Sequence, residues 1–298
     1  MLFLFSCSEN KSTRNNDELE IHCINVGQGD CTLIIAPNGK NILIDAGIWG
    51  KGAGEVVPYL ESIGVDSIQY FVATHFDADH IEGVDEVFNR IALSRHAYDH
   101  GYHEISDTTS NAYRQYYNAV GHRETISAGD FIEIDDAILV RCVAANGNGY
   151  PVRSENDLSV CLVVTYKNFD FFIGGDISDS SSGDHYDIES IIADDIGSVE
   201  VYHVSHHGSR FSSETYMLSV LQPIVSVIST GKNNYGHPHP DVIARLETIG
   251  SVWYQTAADD DDSESGETIV DDDIVITSSG NKFVVNTARF TDVQYSVH

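Results

Sequence analysis

The sequence predicts an α/β protein of the α+β kind, built as an αββα sandwich in which two β-sheets face each other and helices cover the outside. Two blocks of similar size predict it, each combining a β-meander with βα segments along the 298 residues. Composition agrees: 42 % hydrophobic and 10 % aromatic residues supply a buried core. No internal repeat at a fixed period points to a solenoid instead.

Residues 1–17 read as a tail ahead of one domain over 18–298. The opening MLFLFSCSEN resembles the end of a bacterial lipoprotein signal with Cys7 as the lipidated residue. No basic segment precedes it, and its apolar stretch of five residues is shorter than the roughly seven to fifteen of a secretory signal. A truncated signal on an extracytoplasmic lipoprotein and a plain apolar tail on a cytoplasmic protein both stay open. From residue 18, short apolar runs at 21–26, 31–36 and 41–45 form a meander, separated by Gly27-Gln28-Gly29-Asp30 and Pro37-Asn38-Gly39-Lys40 turns. A helix over 52–64 closes on its glycine, and 67–74 is a buried strand that delivers the chain to His75. Residues 81–90 read as a helix. The stretch 92–128, rich in His, Tyr and Asp and without a clear period, is expected to be a lid-like insertion.

Strands resume at 130–134, 137–144, 158–166 and 169–173, the last ending in Gly174-Gly175-Asp176. Helices at 186–196, 213–221 and 240–249 then alternate with strands at 199–204, 223–229 and 251–255. An acidic linker follows at about 257–267, and 268–276 with 282–286 form a final hairpin.

Charge narrows the function. The chain carries 46 acidic against 16 basic side chains, a formal net charge of −30. Gripping nucleic acid needs clustered Lys and Arg, so the charge disfavours that partner; an acidic coat repels polyanions and suits a salty medium that screens it. The longest apolar stretches, such as 132–144, carry charges and fall well short of the ~20 residues that span a bilayer, so no membrane-spanning segment is expected. The five cysteines (Cys7, Cys23, Cys31, Cys142, Cys161) lack CxxC spacing. Four lie in β-like runs and read as buried free thiols.

The strongest chemical signal is Thr74-His75-Phe76-Asp77-Ala78-Asp79-His80, which places four candidate metal ligands in six residues between a strand and a helix. Such a loop can aim side chains at two neighbouring points, so His75 and Asp77 could hold one ion and Asp79 and His80 another. The bland alternative is a polar loop in which Asp79 caps the helix. Other chemistries do not compete. Gly27-Gln28-Gly29 lacks the further glycine of a dinucleotide fingerprint and the lysine of a P-loop, and Ser209 has no nucleophile elbow.

The run His75-x-Asp77-x-Asp79-His80 resembles the HxHxDH signature of the metallo-β-lactamase fold hydrolases. Blocks at 24–30, 43–47, 75–83, 155–160, 174–176, 204–209 and 233–240 are similar, in the same order, to the soluble hydrolase domain of the competence protein ComEC, whose membrane channel region has no counterpart here. The resemblance implies the metallo-β-lactamase type of sandwich, two divalent ions, zinc or manganese, and hydrolysis by a metal-bound hydroxide, most of all at phosphodiester bonds. Asp79, Asp176 and His207 are the implied catalytic residues, with Asp176 bridging both metals. His206 or His207 would complete the second site; His237 competes for that place or contacts substrate. Asp45 would orient a ligating histidine, and Asp30, Asp157 and Ser209 would be outer partners or substrate contacts.

Two departures bear on the metal. Asp77 stands where the signature has its second histidine, and Glu155-Asn156-Asp157 where the third is usual. More oxygen and less imidazole favour Mn²⁺ or a weakly held ion over tightly held Zn²⁺. His96, His100, His103 and His122 fall in the presumed lid and are expected at the surface, although Tyr98-Asp99-His100-Gly101 could reach the site. The alternatives to a nuclease or phosphodiesterase are a hydrolase of a small ester or lactone and a degenerate metal-binding regulatory module.

Overall fold

Two sheets form the centre of the computed structural model, which describes residues 17–179, 183–257, 269–287, 289 and 291–298. The first begins as the expected meander, with β1 (Leu19–Cys23), β2 (Thr32–Ile35) and β3 (Asn41–Ile44) pairing antiparallel. The chain then crosses over through a π-helical turn at Gly52–Val56 and α1 (Val57–Ser62), so that β4 (Ser67–Val72) returns parallel to β3. Short helices α2 (Ala78–Ile81) and α3 (Val84–Phe88) lead to β5 (Ala92–Asp99), and α4 (Asn111–Val120) leads to β6 (Arg123–Thr125), both strands adding in parallel. At the opposite edge, β14 (Ile274–Ser278), β15 (Lys282–Asn286) and β16 (Val293–Ser296) extend the sheet beyond β1.

The second sheet opens with antiparallel β7 (Phe131–Asp135), β8 (Ile138–Ala144), β9 (Cys161–Tyr166) and β10 (Phe169–Ile173). It continues in parallel with β11 (Val201–His203), β12 (Val225–Ile228) and β13 (Val252–Gln255), each reached through a helix: α5 (Ile188–Ile196), α6 (Thr215–Leu221) and α7 (Pro240–Ile249).

Side-chain alternation sorts the core into three layers. Ile21, Ile34, Val72, Leu162, Phe171 and Val227 meet between the sheets. Leu33, Leu43 and Phe71 point the other way, onto Leu60, Val87 and Tyr116 of the first helix layer. On the far side Phe172 and Tyr202 pack against Ile192, Leu218 and Leu246. Each such side chain contributes about 1.5–3 kcal/mol on burial. The αββα sandwich is the architecture the sequence predicts.

The differences are local. Residues 92–128 are not an irregular lid, because β5, α4 and β6 build the sheet edge there. Ser94, Arg95 and His96 are not fully buried, which breaks the apolar alternation of β5, and α4 buries one residue per turn, Ala112, Tyr116 and Val120. The helix expected over 81–90 is split at Gly83, where a Cβ would lie 2.1 Å from the Ala46 carbonyl oxygen. Residues 156–158 form a 3-10 turn ahead of β9, and β16 adds a strand beyond the expected final hairpin. Cys23, Cys31, Cys142 and Cys161 are free and buried as expected. Cys7, nearly all of the N-terminal tail and nearly all of the acidic linker lie outside the described residues. Among the described residues no helix is long and apolar enough to cross a membrane.

Candidate metal centre

Parallel strands deliver their C-terminal ends to one edge of a sheet, where loops can converge. Asp45 follows β3, His75 to His80 follow β4, Asp176 follows β10 and His206-His207 follow β11. Asp45, His206 and His207 hold φ of 56°, 53° and 53°, a left-handed backbone that costs about 1–3 kcal/mol per residue and collects at functional sites. Gly175 is also left-handed, and a Cβ there would come within 2.9 Å of Thr74 Cβ. That contact explains the glycine beside Asp176.

Asp45, Thr74, His75 and His80 form a buried chain of hydrogen bonds. His80 Nδ1 lies 2.8 Å from Asp45 Oδ2, which also accepts from Thr74 Oγ1 at 2.6 Å. The Thr74 hydroxyl, its proton committed to Asp45, accepts from His75 Nδ1 at 3.1 Å. Both imidazoles therefore present Nε2 in the same direction. His207 is oriented by a backbone carbonyl, its Nδ1 lying 2.9 Å from Ser229 O and 3.4 Å from Asp30 Oδ1.

The free atoms converge on Asp176. His80 Nε2 is 3.3 Å from Asp176 Oδ1, and His207 Nε2 is 3.6 Å from Asp176 Oδ2 and 3.4 Å from Asp79 Oδ2. His75 Nε2 is 3.9 Å from Asp176 Oδ2 and 3.6 Å from Asp77 Oδ2. His75 Nε2, His80 Nε2, His207 Nε2 and Asp176 Oδ1 are buried without a hydrogen-bond partner. Buried polar atoms left in that state cost free energy. Two atoms each about 2 Å from one cation at a tetrahedral angle lie roughly 3.3 Å apart, so the residues fit divalent ions. The sets His75, His80, Asp176 and Asp79, His80, His207 each bring their ligand atoms within 4.8 Å of one another.

Electrostatics fit the same role. Burial would lower the His80 and His207 pKa values, but facing carboxylates overcome it: Asp176 and Asp45 raise His80, and Asp176 and Asp30 raise His207, both well above the ordinary imidazole value. Burial would raise Asp176, yet His207, His80 and His206 hold it well below the carboxylate range. Asp79 is lowered against burial through His207 and His80. A site so strongly biased toward separated charge is prepared for cations.

The remaining candidates separate. His207 joins Asp79 and His80 in one ligand group, whereas His206 joins none among the described residues: its Nε2 lies 3.8 Å from Asp176 Oδ2 and 3.3 Å from Asn156 Nδ2, and its Nδ1 2.9 Å from Ser178 Oγ. His237 joins no ligand cluster; its ring lies 5.5 Å from that of His206 and 6.4 Å from that of His207, and burial with these two neighbours lowers its pKa to about 4. Asp157 does not reach the centre. Its oxygens accept from the amides of Arg153, Ser154 and Tyr186, binding two loops together. Ser209 Oγ accepts from Phe211 N and shapes its own turn. His100 is fully buried rather than superficial, its Nε2 3.0 Å from Glu155 Oε1, which also accepts from Phe76 N.

Thr74, Asn156, Ser178 and the Ser229 carbonyl also hold site histidines, contacts that no motif in the sequence assigns to them. Thr74 had a signal, a hydroxyl next to the first histidine; Ser229 had none, since its carbonyl does the work. A cavity of about 390 Å³ opens beside Asp77, lined by Phe76, Glu82, Asp107, Asn111 and Glu155 among others, with neither Lys nor Arg in its wall.

The model of the metallo-beta-lactamase superfamily matches residues 24–210. Among curated relatives, Recombination protein 2 of Haemophilus influenzae is 28% identical over 249 residues, 80% of this chain and 28% of that protein. ComE operon protein 3 of Bacillus subtilis is 25% identical over 265 residues, 83% of this chain and 32% of its own. The chain thus spans about a third of the length of the curated relatives it matches. Of solved structures, Zn²⁺-bound PqqB from Methylobacterium extorquens aligns with a TM-score of 0.51 at 10% identity, covering 78% of this chain and 97% of that one. The diiron β-hydroxylase CmlA from Streptomyces venezuelae aligns with a TM-score of 0.51 at 10% identity, covering 81% and 52%. These two share the fold. With the family match running through the histidine loop after β4, Asp176 and His207, the chain belongs to the metallo-β-lactamase superfamily, whose members are generally metal-dependent hydrolases.

Proposed function

We propose that the protein is a dinuclear metal-dependent hydrolase of phosphodiester bonds. The observation that carries this is the convergence of buried, unpartnered His75 Nε2, His80 Nε2 and His207 Nε2 on Asp176. Asp79, His80, Asp176 and His207 would hold one ion, and His75, Asp77 and Asp176 the other, with His206 beside it. The second set is richer in oxygen, which favours Mn²⁺ over Zn²⁺ there. When bound, two such ions lower the pKa of water and neutralise charge on phosphoryl oxygens.

The chain's own residues prepare that chemistry. Asp45 and the Ser229 carbonyl keep Nδ1 of His80 and His207 occupied, so the other nitrogen faces the centre. His237, neutral at pH 7, sits beside His206 and His207 and would hydrogen-bond a substrate oxygen. The carboxylate wall beside Asp77 and the net charge of −30 favour a small diester over a long polyanion.

The test is turnover of a chromogenic phosphodiester, single-stranded DNA and a lactone by protein loaded with Mn²⁺ or Zn²⁺. Cleavage of the chromogenic diester supports the reading, and cleavage of DNA as well extends it to a nuclease. Turnover of the lactone alone replaces the phosphodiesterase reading with an ester hydrolase. Silence on all three with no bound metal leaves a degenerate binding module.

A further inference from the structure

A second group of ligand-type side chains lies on β5 and β6. His96, His122 and Glu124 bring three potential donor atoms within 4.8 Å of one another. Strand register accounts for it: Tyr98 pairs with Glu124 and Ala97 with Arg123 in the parallel ladder, and Ala97 N donates to His122 O. Alternation then puts His96 on the face of Tyr98, and His122 on the face of Glu124. Arg123, between them in sequence, turns the other way to Asp99 and the Tyr117 ring.

The geometry is that of an open tripod. His122 Nε2 lies 3.2 Å from Glu124 Oε1, His96 Nε2 lies 3.7 Å from Glu124 Oε2, and the two imidazoles are 5.4 Å apart. His96 Nε2 is buried without a hydrogen-bond partner. The Tyr70 and Tyr98 rings, 5.3 and 4.7 Å from its own, hold that imidazole edge-on. His122 and Glu124 remain 69% and 50% exposed, which leaves the open side of the tripod to water.

We propose that His96, His122 and Glu124 form an additional metal site that binds Zn²⁺, with solvent completing the shell, and that the ion ties β6 to β5 at the sheet edge. Two imidazoles and one carboxylate are a donor set that zinc accepts, and three protein ligands leave a position for water. The strands joined are the last two of the sheet, and β6 is only three residues long. A cation bound by the folded state alone stabilises it by mass action.

The experiment titrates Zn²⁺ into the full chain and into H122A and E124Q, whose exposed positions make misfolding a minor risk that circular dichroism checks. The wild type is expected to bind one more equivalent than H122A, with at least tenfold weaker affinity for that equivalent in E124Q. A chain carrying H80A and D176A, altered in the candidate metal centre, should still lose one equivalent when H122A is added. Identical stoichiometry and affinity in wild type and H122A would overturn the proposal. So would failure of H122A to remove an equivalent from the H80A/D176A chain.

Discussion

Asp45 Oδ2 lies 2.8 Å from His80 Nδ1, and through Thr74 the same carboxylate also orients His75. One buried side chain at the end of β3 thereby positions two histidines carried by the loop after β4. Outer partners of this kind typically tune metal affinity or activity 10–100-fold. D45N is therefore expected to weaken metal binding and lower kcat/KM by about that factor. T74V should do less, because it leaves the Asp45 contact to His80 in place. Metal titration and steady-state kinetics measure both, and an unchanged D45N protein would contradict this role.

Asp176 faces His75, His80, His206 and His207 at once. D176A and D79A are each expected to lose activity by more than about 100-fold, beyond what an outer partner costs, with metal content falling in parallel. H237A should keep its metal and show its loss in kcat/KM. Elemental analysis beside kinetics separates the two outcomes.

The raised pKa values of His80 and His207 make metal uptake a proton-releasing event. Asp176, with Asp45 or Asp30, favours the protonated form of both imidazoles in the metal-free protein. The stability these pairs contribute without metal is full below the ordinary value of 6.5 and is lost as pH rises through the raised values. At pH 7, loading should release protons, so calorimetric heats of metal binding should differ between buffers of unequal ionisation enthalpy. Equal heats would contradict the assignment.

Glu189 carries a pH dependence independent of metal. It is fully buried, accepts from the amides of Ser213 and Glu214 at 2.6 and 2.8 Å, and burial raises its pKa from 4.5 to about 8. The folded state thus holds a proton that the unfolded state gives up between these values, so stability falls as pH rises from 4.5 and levels off above 8. Relative to E189Q, the wild type should lose on the order of a few kcal/mol across that window, read by urea unfolding. A flat difference would contradict it.

The acidic surface predicts a salt response. Repulsion among the excess carboxylates is screened as the Debye length shrinks from about 10 Å at 0.1 M to about 3 Å at 1 M. Thermal unfolding should shift upward between these concentrations of sodium chloride. Equal stability in dilute buffer and molar salt would remove the saline reading.

How much of this was legible follows from what each residue's neighbours are. The αββα sandwich was readable because β10, β15 and α7 are bounded by turn residues and carry clear apolar periods, and their observed limits coincide with the expected ones. β5 and α4 were missed because a strand near the sheet edge exposes Arg95 and α4 buries one residue per turn. Within the candidate site, Asp45, the His75 to His80 loop and Asp176 stood at strand ends and could be read. The choice between His206 and His207 could not, since both share one left-handed turn and differ only in where that turn aims them. Asp157 looked like a site residue beside a missing histidine, yet three amides occupy its carboxylate, a contact set by loop folding alone.

The most direct measurement is anomalous diffraction from a crystal grown with Mn²⁺ or Zn²⁺. The account predicts two peaks at the metal absorption edge: one among Asp79, His80, Asp176 and His207, the other at His75, Asp77 and Asp176. Absence of metal from both places in a crystal of folded protein would contradict the central claim.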